Sequence, residues 1–158
     1  MRRFTLLAAL VVVLAVVPAA AAFAPTPTTC NGLSVTIPGS TGNDTLNGTA
    51  GDDVIHGGDG DDTIDGKGGN DTICGGAGAD EIDGGDGVDQ IFGDGGRDRI
   101  GGGFGADTIH GGPGNDFIDE EFLFWGDGSD YMYGDAGNDH LLGGDGYDEL
   151  SGGPGIDR

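Results

Sequence analysis

Positive charge is scarce in this sequence. Its 158 residues include 6 Lys and Arg against 28 Asp and Glu, a formal net charge of -22. A chain so acidic repels phosphate backbones and anionic headgroups, which excludes nucleic acid and anionic lipid as partners. The sequence signatures of common catalytic sites are also missing. There is no His-Glu-x-x-His zinc motif, no Gly-x-Ser-x-Gly elbow and no phosphate-binding loop. His56, His110 and His140 fall in separate stretches without a serine, cysteine or carboxylate partner pattern, and they read as surface residues. Cysteine is limited to Cys30 and Cys74.

Long apolar runs are confined to the N-terminus. Arg2 and Arg3 precede an uncharged apolar stretch over 6–17, followed by Pro18 and by Ala20-Ala21-Ala22. This is the layout of a secretory signal peptide over 1–22, with cleavage expected after Ala22. The stretch is short for a membrane span of ~20 residues, and an uncleaved anchor over 4–24 is the alternative. The expected location is therefore extracellular, for an exported bacterial chain. Residues 23–38 read as a linker and N-terminal cap strand, in which Leu33, Val35 and Ile37 alternate as one apolar face would.

Glycine, by contrast, is abundant, with 37 residues. Such enrichment usually marks disorder, but here the glycines keep a fixed period. Taking Gly57 as position one, the pattern Gly-Gly-x-Gly-x-Asp-x-aliphatic-x repeats every nine residues without a break over 39–119. Five residues, 120–124, interrupt it, and it resumes over 125–158, where the last unit is incomplete. Position four is Gly and position six is Asp in all thirteen units. Position eight is Leu, Ile or Met in each of the twelve units that reach it. Position two is less strict, with Ser40, Thr49, Lys67, Asp94 and Asp135 in place of Gly. Lys67 and the two aspartates need either negative φ or strain there.

Each locked position has a physical reason. Glycine permits a tight turn whose carbonyls converge. The aspartate adds a carboxylate, and calcium takes six to eight oxygen ligands at about 2.3–2.6 Å. One turn supplies about half of that shell, so a second turn stacked on the first is needed to complete it. The last three residues of each unit are extended, with position eight facing a core and positions seven and nine facing outward.

The units resemble those of the RTX, or haemolysin-type, calcium-binding repeat family over residues 39–158. The resemblance implies an all-β fold, a parallel β-roll with two nonapeptides per coil. It also implies several Ca2+ ions, held between turns two repeats apart by backbone carbonyls and position-six carboxylates. Carried over residue by residue, the ligands are Asp44, Asp53, Asp62, Asp71, Asp80, Asp89, Asp98, Asp107 and Asp116. Beyond the insertion they are Asp130, Asp139, Asp148 and Asp157. Many family members carry a separate catalytic or toxic domain and a C-terminal export signal. This chain has no room for such a domain and carries an N-terminal signal instead.

In such a roll the aliphatic position-eight side chains form nearly the whole core, which is thin for an acidic chain. Folding is therefore expected to depend on calcium. Odd units share one sheet and even units the other. The outward positions of the first nine units carry five ionised groups on the odd face and none on the even face. Residues 30–38 would occupy a zeroth repeat on the even sheet, within reach of Cys74, and export favours a Cys30–Cys74 disulfide. The insertion, with Glu120, Glu121, Phe122, Leu123, Phe124 and the following Trp125, is expected to cap the first nine units and start a second stack. Its alternative role is an exposed aromatic patch for a protein or cell-surface partner through Phe122, Phe124 and Trp125; the uncharged even face is a second candidate surface. The leading reading is a secreted, non-enzymatic calcium-binding module with a binding or structural role. The alternatives are the accessory part of a larger exported enzyme or toxin, and a surface adhesin or matrix component.

Overall fold

The computed structural model describes residues 28–120 and 127–158. The proposed signal peptide and the aromatic residues Phe122, Phe124 and Trp125 lie outside the described residues. The described chain is all-β, and its strands stack in parallel with a register of eighteen residues. Thr45 pairs with Thr63, Leu46 with Ile64 and Asn47 with Asp65, and the same offset brings Ile73 beside Ile91. Each coil therefore spends two nonapeptides, and the chain forms a β-roll.

One sheet holds the odd units, from Thr45–Asn47 through Thr63–Asp65, Glu81–Asp86, Arg99–Phe104 and Phe117–Asp119 to His140–Leu142. The other holds the even units, from Val54–Asp59 to Glu149–Ser151, with Ile37–Pro38 added as a zeroth rung. Ile37 sits beside Ile55 in register. Position eight of successive units fills the narrow space between the sheets: Ile55, Ile64, Ile73, Ile82, Ile91, Ile100, Ile109, Ile118 and Met132 are all sealed from solvent. Leu141 is also buried, Ile37 and Leu46 are partly buried, and Leu150 is exposed at the far end of the stack. A column of β-branched isoleucines at an eighteen-residue spacing packs like on like, which suits strands buried on one face.

The expectation of a second stack after the insertion is not met. Thr108, Ile109 and His110 pair directly with Tyr131, Met132 and Tyr133, and Phe117, Ile118 and Asp119 with His140, Leu141 and Leu142. The offset rises from eighteen to twenty-three for one coil, and the roll continues as one body. The five extra residues fall between complete units, so the odd–even alternation is preserved and no rung is shifted.

The even face is covered at its N-terminal end. Thr29–Cys30 and Leu33–Ser34 form an antiparallel pair that packs beside Val54–Asp59 and Thr72–Gly78. A disulfide joins Cys30 to Cys74 with the Cα atoms 5.8 Å apart. Asn31 Nδ2 donates to Gln90 Oε1 at 3.2 Å. Thr72 and Cys74, outward positions on this sheet, are buried as a result. Beyond the hairpin the same face carries a stack of rings. His110 lies between Phe92, at 5.4 Å, and Tyr133, at 4.7 Å, and its Nδ1 is 3.1 Å from Asp135 Oδ2. On the odd face His140 stacks on Phe117 at 5.0 Å. His56 is half-buried, with Nδ1 lacking a hydrogen-bond partner.

Candidate calcium-binding turns

Position four shows why the turn is glycine-rich. A methyl group on Gly78 or Gly96 would overlap the carbonyl oxygen of the residue eighteen before it, Gly60 or Gly78. From Gly60 onward the turns are stacked so closely that a side chain has no room at this position, whereas Gly42 and Gly51, with no turn before them, face open space.

The position-six aspartates form two continuous columns. The backbone N–H of each donates to Oδ1 of the aspartate one coil later: Asp62 to Asp80 at 2.8 Å, Asp80 to Asp98 at 2.9 Å, and Asp71 to Asp89 at 2.8 Å. The columns cross the insertion unbroken, with Asp107 donating to Asp130 Oδ1 at 2.8 Å and Asp116 to Asp139 Oδ1 at 2.9 Å. They run on to Asp148, which accepts from Asp130 at 3.1 Å, and to Asp157, which accepts from Asp139 at 3.0 Å. All thirteen aspartates thus stand in these columns. Asp44, Asp148 and Asp157, at the ends of the columns, are less covered than the others.

The second carboxylate oxygen distinguishes the turns. Oδ2 of Asp62, Asp71, Asp80, Asp89, Asp98, Asp107, Asp116 and Asp139 is buried without any hydrogen-bond partner. Such orphaned acceptors are rare in folded proteins and call for an explanation. Each points toward the position-one glycine of its own unit, where, in all but the Asp107 turn, a carbonyl oxygen from the next coil also points. A methyl group on Gly75 would meet Asp80 Oδ2 at 2.5 Å and Gly93 O at 2.8 Å. On Gly93 it would meet Asp98 Oδ2 at 2.7 Å and Gly111 O at 2.5 Å, and on Gly111 it would meet Asp116 Oδ2 at 2.6 Å and Gly134 O at 3.0 Å. A carboxylate and a carbonyl that converge with no donor between them are the donor set of a hard cation.

Burial without a counter-charge has an electrostatic consequence. It pushes the carboxyls of Asp80, Asp107 and Asp116 up to about 6, and those of Asp89 and Asp98 up to about 7. Asp62, Asp71, Asp130 and Asp139 are raised for the same reason. Neighbouring aspartates in the column add to the shift. No group of three or more His, Cys, Asp or Glu side chains gathers at one point among the described residues. The carboxylates are spaced one per turn, so backbone oxygens must supply the remaining ligands.

Asp44 and Asp53 stand apart. Asp44 Oδ2 accepts from Ser40 N and Ser40 Oγ, both at 2.7 Å, and Asp53 Oδ2 accepts from Thr49 N at 2.7 Å. Their carboxylates are closed on their own turns. The cause lies at position two. Gly58, Gly76, Gly85 and Gly103 have φ between 93° and 113°, whereas Ser40 and Thr49 are not among the positive-φ residues. Lys67, Asp94 and Asp135 take φ of 75°, 64° and 65° despite their side chains; of the two courses open to them they take the strained one, at a cost of order 1 kcal/mol each.

Sequence reasoning gave Glu120 no role beyond the insertion. It is 2% exposed, and its carboxylate accepts from Gly102 N and Gly103 N at 3.1 to 3.3 Å. The signal was its place in the period, since Glu120 occupies the position-one slot of the unit that the insertion displaced.

Comparison with curated proteins finds no match for this chain. The description of one protein family, the RTX calcium-binding nonapeptide repeat in four copies, matches residues 38–73, 68–100, 93–119 and 126–158. These segments span the roll on both sides of the insertion and contain every one of the stacked aspartates, so the chain belongs to the RTX calcium-binding nonapeptide repeat family, whose repeats bind Ca2+.

Proposed function

We propose that this chain is a secreted, non-catalytic module whose roll is assembled by calcium ions lodged between turns one coil apart. The observation that carries the reading is the set of eight buried, unpartnered Oδ2 atoms, each facing a carbonyl oxygen or carboxylate of the next coil. Asp62, Asp71, Asp80, Asp89, Asp98, Asp107, Asp116 and Asp139 are the principal side-chain ligands. Asp130, Asp148 and Asp157 extend the columns. Asp44 and Asp53, already bonded within their turns, bind least. Each ion offsets buried negative charge and contributes binding free energy to folding. Millimolar extracellular calcium suits this dependence, since a chain with net charge -22 would stay unfolded until export. The N-terminal sequence and the Cys30–Cys74 pairing favour an oxidising, extracellular location.

Calcium titration of the purified chain, with circular dichroism recorded alongside, tests the reading. Strand signal should rise together with the uptake of several ions. The same strand signal in chelator and in calcium would overturn it.

A further inference from the structure

We infer that Glu120 and Asp107 form a cation site of a second kind, with two side-chain carboxylates, just past the strand Phe117–Asp119. The inference rests on the calcium reading of the regular turns and adds a ligand that the repeat pattern does not contain.

The geometry at Gly102 differs from that at its neighbours. In the preceding odd turn, the slot beside Gly93 is faced by Asp98 Oδ2 and the carbonyl oxygen of Gly111. In the slot beside Gly102, a methyl group would meet Asp107 Oδ2 at 2.6 Å and both Glu120 oxygens at 2.9 Å. A second ionisable carboxyl group thus stands where the other turns present a neutral carbonyl. Both residues are sealed from solvent, Asp107 at 0% and Glu120 at 2% exposure. Asp107 Oδ2 has no hydrogen-bond partner. Asp130 is a further nearby charge, and it is negative too.

Hydrogen bonding alone accounts for only part of this arrangement. The strand Arg99–Phe104 pairs with Phe117–Asp119 only at Arg99 and Ile100, while on its other side pairing reaches Phe104. Beyond that pairing, Gly102 N and Gly103 N need acceptors, and Glu120 supplies them. A neutral glutamine would serve those two donors equally well. The charge is surplus to the hydrogen bonds, and a buried like-charge pair is costly unless a counter-charge joins it. A divalent ion with a preference for oxygen meets that need, and affinity in such sites rises with the number of charged ligands.

The test is a calcium-binding isotherm of the full chain compared with Glu120→Gln, with Glu81→Gln, an exposed outward residue, as control. Glu120→Gln should bind one ion fewer, or lose about tenfold in its tightest step, with unchanged strand signal in saturating calcium. Glu81→Gln should follow the wild type. If the wild type binds calcium and Glu120→Gln gives the same isotherm, Glu120 is only a hydrogen-bonding plug; the inference fails and the calcium reading stands. If the wild type binds none, the reading of the regular turns fails first. Should Glu120→Gln not fold, europium excitation spectra of the wild type decide the matter, because the line position follows the formal charge of the ligand set. A separate line from a more highly charged site supports the inference, and a single line overturns it.

Discussion

The first two turns of the roll and the turns that follow share one sequence pattern but solve the same electrostatic problem differently. In the turns of Asp44 and Asp53 the carboxylate is closed by Ser40 and Thr49 of its own unit. From Asp62 to Asp116 the equivalent oxygen is buried and unanswered. The first region is also held by the hairpin and by the Cys30–Cys74 bridge. The difference teaches that an acidic position in this repeat does not by itself present a free carboxylate oxygen. What matters is whether the backbone at position two leaves Oδ2 free.

Removing calcium should give the largest effect and test the comparison most directly. Because each rung contacts chiefly its neighbours, loss of order can proceed unevenly along the stack. As chelator is added, hydrogen exchange is expected to accelerate first over 57–119 and only at lower calcium over 28–56. Loss of protection at one common calcium concentration along the whole chain would show that the self-closed turns confer no independence.

Acidity provides the next test, with opposite signs in the two states. Burial raises the carboxyls of Asp80, Asp107 and Asp116 from 3.8 to about 6, and those of Asp89 and Asp98 from 3.8 to about 7. The ion-free roll therefore binds more protons than the unfolded chain between these limits. The resulting stability is fully present below about pH 4 and is lost as pH rises through 6 to 7. In chelator the chain should gain strand signal as pH falls across this window. In calcium it should release ions as pH falls, at lower pH the higher the calcium concentration, because protons compete for the same oxygens. A calcium-free chain that gains no strand signal on acidification would contradict the burial of these groups.

Single carboxylates sharpen the contrast. Asp98→Asn keeps an acceptor for Asp80 N, which now bonds to Asp98 Oδ1 at 2.9 Å, but removes the charge of an orphaned oxygen. It should raise the calcium concentration at the folding midpoint severalfold, with little loss in chelator. Asp44→Asn weakens the bonds from Ser40 and should cost about 1 kcal/mol with or without calcium. Equal shifts of the calcium midpoint in the two variants would erase the distinction between the regions.

Much of this arrangement was legible from the sequence. The nine-residue period gave the aliphatic column, because side-chain direction is fixed by strand geometry, and the family resemblance implied the two-unit coil and its two sheets. The thirteen aspartates that the resemblance implied as ligands stand in two stacked columns, and their binding of calcium is the proposal made above. Three features escaped. The insertion was expected to divide the stack, although its position between whole units preserves the odd–even order that decides which sheet Tyr131–Tyr133 joins. Glu120 escaped because its role belongs to the coil it interrupts, not to the motif. The closure of Asp44 and Asp53 depends on the sign of φ at position two. The mere presence of a side chain does not set that sign, since Lys67 and Asp94 take positive φ while Ser40 and Thr49 do not.

That last point leads to the smallest expected effect and the sharpest test of the mechanism. Ser40→Gly restores the commonest residue at position two and removes Ser40 Oγ, which lies 2.7 Å from Asp44 Oδ2. Glycine takes positive φ without the penalty that a side chain brings, as Gly58 does at 113° one coil later. The turn is then able to open, and Asp44 Oδ2 becomes as free as its neighbours in the column. In chelator the substitution should cost about 1 kcal/mol through the lost hydrogen bond. In saturating calcium that loss should shrink, because the freed carboxylate acquires an ion in exchange. Hydrogen exchange over 39–47 is the measurement, since it reads this turn alone. Equal loss of protection with and without calcium would mean that position two fixes only the local hydrogen bond and does not decide whether the turn takes an ion.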